Sequence, residues 1–467
     1  MPFNSALFLF LFLPLLGLAC LLAPRNRHNA ILLAASALFY AWGEPTFILV
    51  VLFSSGLDYL IGLKLAANSN PAQRKGWVAL AVVANLGVLV YFKYTNFFLE
   101  NVGALLTWTG LKPPAWLPIA LPIGVSFIVF EKITYVVDLY RGTGKPAASF
   151  SRYLLYVLFF PKLMAGPIIK YHEIADQLEK RAVRWEDLRK GSMRFVFGLA
   201  KKCLLADTTG YFADKVFALP AGNLDPLAAW TGLLCFAVQI YFDFSGYSDM
   251  AIGLARCLGF HLRENFNQPY LALNFTDFWR RWHISLSSWI KEYLYVPLGG
   301  SRGTEARTYF NLWLCFLLSG LWHGASWMFI CWGAYHGFVL AVERRWWLDA
   351  QRRLPAGVNR GLTFLLVVLG WIPFRAETPA QAGAFFAALF RPRPAGVEIS
   401  GEIWAFLFVS LAICLWPALR GAPSPGEADT RFPWAHSLGL AAGFALFWVA
   451  VARLASSSYQ SFIYFRF

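Results

Sequence analysis

Charge is scarce in this chain: only 14% of its 467 residues are Asp, Glu, Lys or Arg, against about 25% in an ordinary soluble domain. Hydrophobic residues make up 58%, and the mean hydropathy is +0.50. That is more apolar surface than one soluble core can bury, so a soluble globular enzyme is excluded and an integral membrane protein is indicated. Cysteine is sparse as well. The seven, at 20, 203, 235, 257, 315, 331 and 414, are never closer than 16 residues. This excludes a CxxC pair, a Cys/His metal spacing and a disulfide framework, so no metal centre is expected. A P-loop, a dinucleotide fingerprint and an HExxH motif are missing, as are internal repeats and low-complexity segments. The missing repeat argues against a proton-coupled transporter, since that class commonly carries one. Finally, Met1 to Pro24 holds no charged side chain. Without a basic n-region this stretch is expected to be a retained span rather than a cleaved signal peptide.

The abundant features agree with a membrane setting. There are 43 Phe and 20 Trp, and Trp and Tyr favour the membrane–water interface. The net charge of +15 would suit nucleic acid were it gathered in one patch. Its cations lie instead in loops beside apolar runs, as on a cytoplasmic membrane face, so no nucleic-acid partner is expected. Candidate spans fall near 5–23, 29–43, 45–65, 77–99 and 116–138, with a turn at Gly43-Glu44-Pro45. Starting from an extracytoplasmic N-terminus, three basic loops in turn (Arg25/Arg27, Lys64/Arg74/Lys75 and Arg141/Lys145/Arg152) fall on the cytoplasmic side. Residues 153–169 are apolar but broken by Pro161, Gly166 and Pro167, which fits a re-entrant or bent element. Residues 184–206 fit an interfacial amphipathic helix, and an apolar span from about 226 to 242 runs into Asp243-Phe-Ser-Gly-Tyr-Ser-Asp249. Residues 308–342 hold no Asp, Glu, Lys or Arg and form either one long bent helix or two shorter elements. Further apolar stretches are 361–390, interrupted by Pro373, Arg375 and Pro379, then 403–419 and 434–452. The expected fold is all-α and polytopic, one integral membrane domain over 1–467 with a motif-bearing core at about 120–345.

Three segments carry chemistry. On a helical wheel of 278–293, Phe278, Trp282, Leu286, Trp289 and Tyr293 share one side, while Arg280, His283, Ser287 and Lys291 gather on the other. This is either an interfacial helix with a solvated basic face, or a site where Arg280 and Lys291 meet the phosphates of an anionic donor such as a coenzyme A thioester. Gly320-Leu-Trp-His323-Gly324 and Gly333-Ala-Tyr-His336-Gly337 each set a histidine inside a GxxxG pattern, which permits close backbone approach. On a straight helix the two histidines lie about 20 Å apart and point differently, so His323 and His336 are not expected to share a site. A histidine in an apolar span is either a hydrogen-bonded helix contact or a functional group. Asp243, Asp249 and the Glu131-Lys132 pair need partners if buried, and Arg280 or Lys291 are candidates for the aspartates. Gly299-Gly-Ser-Arg-Gly303 matches the GxSxG string, which has meaning only on a strand–turn–helix elbow, and it reads as a glycine-rich loop.

Taken in order, FPKLMAGPI (160–168), DFSGYSDMAIG (243–253), FWRRWHISLSSWIKEYLYVPLGG (278–300) and GLWHGASW (320–327), with LPIGVSFIVF (121–130), resemble the membrane-bound O-acyltransferase family, and most nearly its bacterial alginate O-acetyltransferase branch. The resemblance covers most of the chain, to about residue 345. It implies a ring of tilted helices around a central tunnel in the bacterial inner membrane. It also implies that His323 is the catalytic histidine and His283 the second catalytic position, with His336 structural. Arg280, Lys291, Ser287, Trp282 and Asp243 are the candidate donor contacts. Acetyl-coenzyme A is the implied acyl donor, with no permanently bound cofactor. An exported polysaccharide, or a periplasmic acetyltransferase that completes the transfer, is the implied partner. Glu131 stands where the family more often has glutamine, and Lys162 sits inside the FPxLxAGP motif. A hydroxyl is a poor nucleophile at neutral pH, so His323 is expected to act as general base, with His283 either orienting the acceptor or stabilising the oxyanion. Transfer of D-alanyl or another acyl group is the nearest alternative.

Overall fold

The structure, a computed structural model, describes residues 1–420, 433–457 and 459. Among these the regular structure is helical throughout, and no strand occurs. Among the described residues five helices are long and apolar enough to cross a membrane: Phe47–Ala67, Pro71–Trp108, Pro226–Cys257, Ala356–Arg375 and Gly439–Ser456. The chain divides into two compact units, Met1–Ser192 with Ala251–Arg263, and Met193–Met250 with Glu264–Phe467.

In the first unit, helices His28–Gly43 and Phe47–Ala67 meet at the expected Gly43–Pro45 turn. Asn70 then caps the helix that begins at Pro71 by accepting from the Ala72 and Gln73 N–H groups. The run expected at 116–138 is helical only from Val125 to Arg141. Its start is set by Gly124, whose φ of 76° is left-handed, and where a Cβ would lie 2.9 Å from the Leu163 carbonyl oxygen. The segment expected to be bent is indeed broken, into Phe150–Leu158, Phe160–Leu163 and an extended stretch through Pro167. Every residue from 153 to 171 is buried, and burial in protein is the condition under which irregular backbone is tolerated at membrane depth. Phe160 anchors the N-terminal segment, its ring lying 5.4 Å from both Phe12 and Phe39.

Two ion pairs are sealed in this unit. Lys132 lies 3.3 Å from Asp58, and the same carboxylate accepts from Asn85 Nδ2 at 2.9 and 3.0 Å and from the Tyr153 hydroxyl at 3.4 Å. Four segments are thereby tied through one carboxylate. Glu131 does not pair with its neighbour Lys132, which projects to a different side of the helix. It bonds to Lys162, the residue inside the 160–168 motif. The Lys162 ammonium also sits 4.8 Å from the Tyr156 ring centre.

In the second unit the apolar span does not stop at residue 242. It continues as one helix, Pro226–Cys257, through Asp243 and Asp249. Their partners come from the basic segment after residue 193 rather than from Arg280 or Lys291. Lys202 lies 2.7 Å from both Asp243 and Asp207, while Asp249 is held by Arg194 at 2.9 Å and Lys201 at 2.6 Å. Glycine is the reason. A Cβ on Gly198 would lie 2.5 Å from the Gly246 carbonyl oxygen, and one on Gly246 would lie 2.7 Å from that of Gly198. The two backbones touch, which places the lysines one turn further along opposite the aspartates. The 299–303 glycine string forms turns, with φ of 105° at Gly299 and 58° at Gly300.

Removing one member of a buried ion pair leaves an uncompensated charge, at about 3–5 kcal/mol. Glu131→Gln is therefore expected to lower the thermal unfolding midpoint of the detergent-solubilised chain. Glu131→Gln with Lys162→Met should restore most of the loss, as read by tryptophan fluorescence. A double variant no more stable than the single one would remove the pair from the stability of this unit.

Candidate active site

The charge-free run 308–342 is two helices, Glu305–His323 and Trp327–Val342. His323 is the last residue of the first. Gly324 follows in extended conformation, and Ser326 caps the second helix by accepting from the Phe329 N–H at 3.4 Å. The helices fold back on each other at their glycines. A Cβ on Gly320 would lie 2.2 Å from the Phe329 carbonyl oxygen, one on Gly333 2.4 Å from that of Phe316, and one on Gly337 2.8 Å from the Trp313 ring. The small-residue spacing therefore serves a hairpin rather than one long helix.

This hairpin overturns the expectation that His323 and His336 point apart. Both rings pack on Trp332, with centroids 4.9 Å away for His323 and 4.6 Å for His336. His336 is fully buried, stacked on Phe275 at 5.1 Å and set against Trp279 at 5.0 Å. Neither of its ring nitrogens has a hydrogen-bond partner among the described residues. His323, at 6% exposure, lies at the edge of the same aromatic core, 5.0 Å from Trp322 and 5.2 Å from Phe374.

The segment 278–293 is likewise not one helix. Phe275–Arg281 ends and Ile284–Ile290 begins around His283, whose backbone is left-handed at φ 45°, ψ 54°. A non-glycine residue in this region is strained, and such strain gathers at functional sites. The wheel that put His283 beside Arg280 and Lys291 fails at this break. His283 is 1% exposed, whereas Arg280 and Lys291 are exposed at the surface. Ser287 is half-buried and donates to the Trp282 carbonyl at 3.4 Å. Trp282 is a core residue, 5.0 Å from Trp371 and 5.1 Å from Phe266. Asp243 faces Lys202. Of the seven residues singled out in the sequence, the structure sets His283 and His323 about one indole and, apart from them, bonds Ser287 to Trp282. Trp322 lies between the two histidines, its ring 6.1 Å from His283 and 5.0 Å from His323.

Asn265 was missed in the sequence, where it sits in a motif-poor stretch 18 residues before the histidine. Its side-chain oxygen receives the Ser285 N–H at 3.3 Å and the Ser285 hydroxyl at 2.9 Å. A backbone N–H can only donate, so this atom is the acceptor, and its amide nitrogen donates to Ser248 at 3.1 Å. His283 Nδ1, 3.0 Å from the same oxygen, must therefore carry the proton, leaving the lone pair on Nε2. Burial and, secondarily, the neighbouring His323 hold this imidazole well below its usual range, so it is neutral. A backbone bond from the Ile284 N–H to the Asn265 carbonyl, at 2.9 Å, fixes the break itself. Glu343 was missed too. It caps the Phe275–Arg281 helix, accepting from the Phe275 and Thr276 N–H groups and from the Thr276 hydroxyl.

The family profile described as MBOAT, membrane-bound O-acyltransferase family, matches residues 145–353, which contain both histidines. A probable alginate O-acetylase of Pseudomonas putida is 40% identical over the full length of both chains. The chain belongs to the membrane-bound O-acyltransferase family. It is a membrane O-acetyltransferase of the alginate O-acetylase-like branch. A peptidoglycan O-acetyltransferase of Helicobacter pylori is 37% identical over 81% of this chain and 78% of that protein. A teichoic acid D-alanyltransferase of Bacillus subtilis is 26% identical over 69% of this chain and 85% of its own. Within this O-acyltransferase the two histidines and the indole between them form the candidate catalytic centre.

Asn265→Ala removes the group that selects the His283 tautomer and supports its strained backbone. Acyl transfer is expected to fall on the order of 10²-fold, within the range of a lost acid–base contribution, with membrane expression retained. Asn265→Asp, which keeps the acceptor, should lose less. Transfer rates at matched expression check this, and an unchanged rate in Asn265→Ala would separate the tautomer from catalysis.

Proposed function

We propose that the enzyme moves an acetyl group from acetyl-coenzyme A, on the cytoplasmic side, toward hydroxyls of an exported polysaccharide of the alginate type, with His323 as general base. The observation that carries this reading is the convergence of His323 and His283 on Trp322 in a water-poor aromatic setting. The acceptor hydroxyl gives its proton to the His323 imidazole as its oxygen attacks the acetyl carbonyl. The tetrahedral intermediate then collapses, the C–S bond breaks, and His323 returns the proton to the leaving thiolate. No net proton is gained or lost, and one base serves both half-steps.

Of the two roles open to His283, the Asn265 bond favours orienting the acceptor. A neutral ring whose Nδ1–H is engaged by Asn265 presents an acceptor at Nε2. It can receive a hydroxyl and orient it, but it has no proton to offer an oxyanion. His283 is accordingly assigned to orienting the acceptor. Arg280 and Lys291, exposed cations on either side of the His283 break, are assigned to the donor's phosphates. A tunnel between the two faces, an extracytoplasmic N-terminus and a periplasmic partner that completes the transfer belong to the same proposal. Their support is the basic-loop pattern, together with the H. pylori relative named as acting on peptidoglycan, a polymer outside the cell membrane.

The test uses membranes carrying wild type or His323→Ala at matched expression, supplied with labelled acetyl-coenzyme A. Label in surface polysaccharide is expected to drop about 10²–10⁴-fold in the variant. Equal labelling would sink the base assignment, and label arriving only from a D-alanyl donor would overturn the acetyl reading.

A further inference from the structure

The first unit holds a cavity of about 810 Å³ that the acyl-transfer reading does not use. It lies where the turn after the first apolar helix meets residues 179–183 and Arg152. Four permanent cations line it, Arg25, Arg152, Lys180 and Arg181, with His28, against the single carboxylate Glu179. Glu179 is already engaged by Arg152 at 3.4 Å. Arg181 is held in place, donating to the Asn29 side-chain oxygen at 2.6 Å and the Leu258 carbonyl at 3.1 Å, with its guanidinium 4.2 Å from the Phe260 ring centre. Arg25 and Lys180 are exposed and have no carboxylate within ion-pair distance among the described residues. A pocket with this excess of positive charge, part of it pre-positioned, is built for an anion.

Its surroundings say which kind. Leu21 also lines the cavity, and Leu18, Leu21 and Leu22 are 51%, 81% and 76% exposed. Three such leucines on one short apolar helix need a hydrocarbon neighbour. Trp185, 78% exposed, follows two residues after Val183 of the lining, and tryptophan favours the headgroup level. Arg25 and Arg152 belong to the loops that the basic pattern puts on the cytoplasmic face, where anionic lipids concentrate. We propose that this cavity binds the phosphodiester headgroup of an anionic phospholipid, with Arg25 and Lys180 meeting the phosphate beside the fixed Arg181 and the acyl chains lying along Leu18, Leu21 and Leu22. The site stands apart from the histidine centre, and its test does not depend on acyl transfer.

The full-length chain, purified in detergent, would be offered phosphatidylglycerol or phosphatidylcholine and weighed by native mass spectrometry. Wild type is expected to retain phosphatidylglycerol in preference to phosphatidylcholine. Arg25→Gln with Lys180→Gln is expected to lower phosphatidylglycerol retention roughly 30-fold, about fivefold per surface cation, and to leave phosphatidylcholine unchanged. Both residues are exposed, so folding should persist, and size exclusion of the variant checks it. Lys75→Gln, an exposed cation away from the cavity, should change nothing. Equal retention in wild type and the double variant overturns the site. If adenosine 3′,5′-bisphosphate displaces the lipid and depends on the same two cations, the lipid assignment falls and the cavity is a nucleotide-phosphate site.

Discussion

The close contact of backbone on backbone in the Glu305–Val342 hairpin is the constraint from which the candidate catalytic centre follows. Gly320 lies against the Phe329 carbonyl and Gly333 against that of Phe316, so no side chain separates the two helices there. Because they touch, His323 at the end of one helix faces Trp332 on the other, and Trp322 is turned toward His283. A methyl group at either glycine would have to displace main chain, which cannot move aside as a flexible side chain can. In this protein small residues do more than permit helix association. They set the distance at which two histidines from separate segments meet.

The same economy governs the charges. An unpaired ion in an apolar interior is costly, and the first unit answers this with discrete pairs, Glu131 with Lys162 and Asp58 with Lys132. The second unit does so with a row: Asp207, Lys202 and Asp243, then Lys201, Asp249 and Arg194. That row runs along the Gly198–Gly246 contact, so glycine again decides which cation reaches which carboxylate. The histidine centre differs in kind, for its rings pack among aromatic side chains and Asn265 gives His283 a polar support. An aromatic wall with an amide acceptor on Nδ1 leaves the His283 imidazole oriented but uncharged, the state a hydroxyl acceptor requires.

Much was legible in the sequence because it depends on local composition. Runs such as 45–65 and 226–242, the turn at Gly43–Pro45 and the broken segment at Pro161–Pro167 follow from hydropathy and backbone chemistry over a few residues. The membrane class was likewise readable from composition, and motifs in order singled out His283 and His323, which the structure sets about one indole. Periodicity failed where one residue changed the helix axis. The left-handed turn at His283 and the extended Gly324 are single-residue events, and a wheel drawn across them assigns faces that do not exist. This is why Arg280 and Lys291 were grouped with a histidine that is buried, and why His336 was set far from His323.

Partner choice among buried groups was beyond the sequence altogether. Glu131 is adjacent to Lys132 but bonds to Lys162, 31 positions on, and Asp249 takes Arg194, 55 positions back. Asn265, which fixes the His283 tautomer, lies in no motif, because its role needs only one amide oxygen at one place in space. Composition settles that this chain lives in a membrane as helices, since the cost of exposing polar backbone to lipid is paid residue by residue. The tertiary packing alone settles which side chains meet, since that depends on glycine contacts and helix breaks acting between segments far apart in the chain.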